Sequence, residues 1–141
     1  MIQIKAVKQQ EQNNLEIFTV EVVRGTQPAL IILSNAQFEP LQFEGIDIFA
    51  AVQGVRRFLE AKGLLLTCNA SRIDAYPSGM SRQMSAGRKL YVHELGVPGR
   101  PKTIVDIFDE APIDKIGTIA EQDEYMQKWY ASIGNNHDIS K

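Results

Sequence analysis

One cysteine, two histidines and one tryptophan are all that this 141-residue chain holds of those types, and each scarcity removes a class of explanation. A single thiol, Cys68, can neither close a disulfide within the chain nor build a cysteine-based metal cluster. His93 and His137 are far apart in sequence and neither belongs to an H-E-x-x-H pair, so no metal centre is expected. No apolar run is longer than that from Ala29 to Leu33, far below the roughly 20 residues that span a bilayer. The first residues, MIQIKAVKQQEQNN, lack the apolar centre of a signal peptide. A cytoplasmic location with no membrane contact is the expectation. The phosphate-binding patterns G-x-x-x-x-G-K-[ST] and G-x-G-x-x-G are absent, and Ser78 in Tyr76-Pro77-Ser78-Gly79-Met80 lacks the first glycine of a G-x-S-x-G elbow. No cofactor is implied by any pattern in the chain. Repeats and low-complexity tracts are also missing, which excludes solenoids and linkers.

What is present describes an ordinary globular domain. With 44% hydrophobic and 23% charged residues, the chain can bury one core, and residues 1–141 read as a single domain. Alternating apolar positions in Ile2-Gln3-Ile4-Lys5-Ala6 and from Leu15 to Val23 read as strands joined by a turn at QQEQNN. ALIILS after Pro28 makes a third strand, and a loop containing Phe38, Pro40 and Phe43 follows. Ile48, Val52, Val55 and Leu59 recur at helical spacing. With Asp47 as cap and Gly63 as stop they predict a helix from Ile46 to Lys62, whose polar residues Gln53, Arg56, Arg57 and Glu60 face solvent. LLLTC, Lys89 to Leu95 and Thr103 to Phe108 supply further strands. Thr118-Ile119-Ala120-Glu121 is a capping box that opens a helix from Ile119 to Ile133, stopped at Gly134, with residues 135–141 as a frayed tail. The expected fold class is α+β: a mainly antiparallel sheet of about five to six strands covered by two helices.

Net charge is only −2, and it hides two blocks of opposite sign. Residues 69–102 carry six cations against two acids, whereas residues 103–124 carry seven acids against Lys115 alone. Such blocks either neutralise each other within the fold or pair two copies, so a homodimer enters as an expectation. A nucleic-acid surface is not expected, because Tyr76 is the only aromatic within the basic block before Tyr91.

Chemistry concentrates between Leu64 and Lys89, where an apolar run gives way to Ser, Gly, Arg and Met. Arginine forks hold carboxylate or phosphate bidentately, and serine hydroxyls add uncharged donors. Asn69, Ser71, Arg72, Ser78, Ser81, Arg82 and Arg88 form the candidate ligand-binding set. Met80 and Met84, four apart, suggest a short helical turn opened by Ser78 and Gly79. The reading is a binding or interaction protein whose contact surface runs from Asn69 to Lys89, its partner a protein or a small anionic ligand. The alternative is an enzyme acting on a phosphorylated or carboxylated small metabolite, in which Arg72 and Arg82 clamp the anion and Asp74 or His93 moves a proton. The two differ in geometry: the enzyme needs these groups in one pocket, the binding module needs them spread over a face beside exposed Met80 or Tyr76.

The run Cys68-Asn69-Ala70-Ser71-Arg72, followed by Tyr76-Pro77-Ser78-Gly79-Met80-Ser81-Arg82-Gln83-Met84, resembles a signature of small bacterial proteins of unassigned function. The resemblance implies no activity, cofactor or catalytic residue.

Overall fold

Two antiparallel sheets and three helices build the α+β structure, a computed structural model that describes residues 1–98 and 103–139, without the side chains of 11–13 and 134–139. The first sheet begins with β1 (Ile2–Lys8), β2 (Glu11–Val23), β3 (Ala29–Asn35) and β4 (Phe38–Gly45), each paired with the next, and β5 (Leu64–Leu66) closes it beside β1. Period-2 alternation puts Ile4, Ala6, Phe18, Val20, Ile31 and Leu33 on one face, all buried. Onto that face packs α1 (Ile48–Glu60) through Phe49, Val52, Val55 and Leu59. Each such side chain contributes about 1.5–3 kcal/mol by leaving water. A chain of aromatic contacts, Phe18 to Phe38 to Phe58 to Phe43, ties β2 and the edge strand β4 to α1 at centroid distances of 6.2, 6.0 and 5.8 Å.

The segment with Phe38, Pro40 and Phe43 is thus a strand and not the expected loop, and QQEQNN lies mostly inside β2, leaving only a tight turn. Both strands form in hairpins with the strand just before them, β4 with β3 and β2 with β1. At the free edge of β4, exposed Glu39, Pro40 and Glu44 discourage pairing with another chain. Gly45 joins β4 to α1 where a Cβ would collide with the amide of Ala51, so only glycine admits this close approach.

The second sheet orders β6 (Ala75–Tyr76), β7 (Lys89–Val92) and β8 (Ile104–Asp106), with β7 in the centre. Between β6 and β7 stands the short α2 (Gly79–Ser85), as the Met spacing predicts. Finally α3 (Ile119–Ile139) carries Met126, Trp129 and Ile133 into a small second core with Tyr76 and Tyr125. Its capping box forms: Glu121 N donates to Thr118 Oγ1 at 3.1 Å, and Thr118 N donates to Glu121 Oε1 at 2.9 Å. The helix passes through Gly134 instead of stopping there, because one glycine costs a helix only about 1 kcal/mol. Residues 135–139, expected as tail, are therefore helical; 140–141 lie outside the described residues.

The polar side of α1 also departs from expectation. Gln53 and Arg56 are buried and not solvated, because the start of α3 and the chain around residues 70–75 cover them.

Candidate functional site

After β5 the backbone makes a 3₁₀ turn over Asn69–Ser71 that is buried throughout. Asn69 Nδ2 donates to the carbonyl of Asp106 at 3.0 Å, and its backbone N–H donates to Asp109 O at 2.8 Å. Ser71 accepts from Gly117 N through its carbonyl, while its hydroxyl has no protein partner. Asn69 and Ser71 thus hold the segment from beneath and offer nothing to the surface.

Each arginine of the candidate set meets a carboxylate. Arg72 donates from Nε and Nη2 to Asp74 at 2.6 and 3.4 Å. Arg82 Nη1 donates to Asp47 at 2.8 Å, with its guanidinium 5.0 Å from the centre of the Phe49 ring. Arg88 Nε donates to Asp106 at 3.1 Å and stacks 5.2 Å from the centre of the Phe108 ring, and Lys89 Nζ lies 3.6 Å from the same carboxylate. A free anion would have to displace these aspartates.

The serines serve α2. Ser78 Oγ accepts from Ser81 N at 3.0 Å, and buried Ser81 donates its hydroxyl back to Ser78 O at 3.1 Å. At the other end Ala86, in the left-handed region at φ 54°, presents its carbonyl to Ile48 N and Phe49 N at 2.8 and 3.3 Å. Because Asp47 accepts from Ala50 N at 2.8 Å, the segment and this cap together satisfy the first N–H groups of α1. The candidate segment is therefore bolted to the start of α1.

What it displays is apolar. Met80 is 64% exposed, Met84 82%, and neighbouring Ile46 81%. Ile46 and Arg82 form a ridge between two grooves. One, of about 440 Å³, runs along α1 to the start of α3; the other, of about 340 Å³, lies against the β2–β3 turn. Neither groove is lined by Arg72, Asp74 or His93. A third cavity of about 340 Å³ reaches Cys68, whose thiol is pushed up to about 11 by burial and so stays protonated at neutral pH.

Sequence reasoning missed the polar cluster under the segment. Arg56 Nη1 donates to Gln53 Oε1 at 2.8 Å and to Gln122 Oε1 at 2.7 Å, and its Nη2 reaches Gly117 O at 3.2 Å. Gln122 Nε2 shares its two N–H groups among the carbonyls of Ala70, Arg72 and Ala75 at 3.3, 3.0 and 3.0 Å. Burial, partly offset by Glu60, lowers the Arg56 pKa to about 10, which leaves it charged at neutral pH. No local pattern marks Gln122 as the residue that clamps three carbonyls about 50 positions away. His93, meanwhile, lies against Trp129 at 4.6 Å with Nδ1 buried and unpartnered, and burial holds its pKa below the ordinary 6.5.

Among the described residues no three His, Cys, Asp or Glu side chains converge on a metal position, and no helix is long and apolar enough to cross a membrane. No protein-family model matches the sequence, and comparison with curated proteins finds no match.

Proposed function

We propose that this chain is a binding module that meets a protein partner through residues 69–89, with α2 as the part that touches. The carrying observation is the pair Met80 and Met84, held out to solvent with Ile46 by a segment whose polar side chains are spent on internal bonds. Flexible thioethers on a rigid mount suit a protein surface, since methionine adapts its shape to an apolar partner. A small anion is the weaker partner, because Asp74, Asp47 and Asp106 already occupy the arginines. Catalysis has less support again, as Arg72 is spent on Asp74 and the two grooves that Arg82 lines are not lined by Arg72, Asp74 or His93. The cytoplasm is the location that accompanies this reading.

The test is a photo-crosslinking side chain at position 84, expressed in the native host. A discrete adduct is expected there, suppressed by Met80→Asp, and absent when the crosslinker sits at exposed Lys128 on α3. Equal labelling at 84 and 128 would sink the reading. Inorganic phosphate is expected to leave the thermal midpoint unchanged; a rise that disappears in Arg72→Ala with Arg82→Ala would favour the anion instead.

A further inference from the structure

The groove of about 440 Å³ beside α2 carries charge that the fold itself does not use. Its long wall is one side of α1, where Ala50, Gln53 and Arg57 follow at helical spacing. From Ala50 to Arg57 that wall spans about 10 Å at ~1.5 Å per residue. Glu44 stands at the end where β4 meets α1, Arg57 at the far end, and Asp123 of α3 on the facing wall. Phe49 and Tyr76, with ring centroids 5.0 Å apart, give it an aromatic lining.

Arg82 at the ridge is matched by Asp47. Glu44, Arg57 and Asp123 are exposed, opposite in sign, and make no side-chain hydrogen bond or ion pair among the described residues. On a convex surface these would be ordinary solvated side chains. Here they rim one concavity, and a rim of unmatched charge around an aromatic lining selects a complementary guest. Arg82 of α2 lines the groove, so the groove lies beside the helix that carries Met80 and Met84, within reach of a partner protein seated there.

Resting on the binding reading above, we propose that the groove seats a short extended segment of the protein partner. In it a basic residue faces Glu44, an acidic residue faces Arg57, and an apolar side chain between them packs on Tyr76. Asp123 disfavours a second acid in the segment.

Random twelve-residue peptides displayed on phage, panned on the full chain, test this. Wild type is expected to select peptides that carry a basic and an acidic residue with an apolar residue between them. The double variant Glu44→Lys with Arg57→Glu is expected to select the reversed order of signs and to bind the wild-type peptides at least about tenfold more weakly. Both side chains lack an ion pair among the described residues, so the variant's thermal midpoint should fall by no more than the few degrees that an acid in the last turn of α1 costs. Ala50→Trp, which fills the groove without altering charge, should abolish binding. Failure to enrich any peptide, or peptides that bind wild type and double variant equally, overturns the inference. If crosslinking from position 84 persists in that event, the binding reading stands and only the groove's role falls.

Discussion

A guanidinium with 1% of its surface exposed and three neutral acceptors is the residue on which the contact segment rests. Arg56 orients the Gln122 amide, and Gln122 in turn holds the carbonyls of residues 70, 72 and 75. Removing only the donor leaves buried acceptors without partners, the costly case. Arg56→Ala is therefore expected to cost about 3 kcal/mol, read as a lower urea midpoint at unchanged slope. Gln122→Leu, which strips the donor from three buried carbonyls, should cost a similar amount, and Arg56→Ala combined with Gln122→Leu should cost less than the sum of the two; a double variant at or beyond that sum would show that the clamp is not one unit. His93 gives a second prediction. Its folded-state pKa lies below 6.5, so the unfolded chain takes the proton first, and stability is full above pH ~6.5 and falls as pH drops through that value. Thermal midpoints between pH 7.5 and about 5 should fall more steeply for wild type than for His93→Asn. Equal slopes would contradict the burial of a neutral ring.

Helix starts were the most readable elements, because a cap and the N–H groups it serves lie within four residues of each other. Asp47, Ser78 and the Thr118–Glu121 box all act as their positions suggest. Asp47 does more than cap, since its second oxygen holds Arg82 and so binds α2 to α1. Asp47→Asn keeps the acceptor for Ala50 N and should cost less than about 1 kcal/mol, whereas Asp47→Ala should cost about 2 kcal/mol. Chemical denaturation of the two variants separates cap from ion pair, and equal losses would contradict the division. Elements made by distant partners were not readable. Gln53 and Arg56 look solvated until α3 lies over them, whereas Phe38, Pro40 and Phe43 form a hairpin with neighbouring β3 that the proline and the uneven apolar spacing conceal. The candidate segment followed the same rule. Its composition marked it in the sequence, yet the carboxylates that neutralise Arg82 and Arg88 stand 35 and 18 residues away, beyond any local pattern.

At the scale of the molecule, the opposite charge blocks meet at least partly inside one chain. Asp106 of the acidic block takes Arg88 and Lys89 of the basic one, Asp74 takes Arg72 within the basic block and Asp47 takes Arg82, so a dimer built on these charges loses four of the six cations it would draw on. The cores are unequal as well: the large one joins the first sheet, α1 and part of the second sheet, while Met126, Trp129 and Ile133 form the small one under α3. Beyond the Gln122 clamp, α3 is held by that small core and a few bonds to the chain after β7. Tyr125 donates to His93 O at 2.7 Å, Trp129 Nε1 to Val97 O at 3.3 Å, and Gly96 N to Ser132 Oγ at 2.8 Å. Three buried side chains contribute about 5–9 kcal/mol gross, against an ordering cost of ~1–2 kcal/mol for each residue fixed, so this half of the helix should open below the global unfolding energy. Trp129 is the only tryptophan, and its emission therefore reports this docking alone. In urea the red shift of that emission is expected to come before the loss of far-ultraviolet sheet signal, and Ile133→Ala should widen the gap by lowering only the fluorescence midpoint. Coincident transitions in both proteins would mean that the small core unfolds as one unit with the large one, and that the Gln122 clamp carries its cooperativity along the whole of α3.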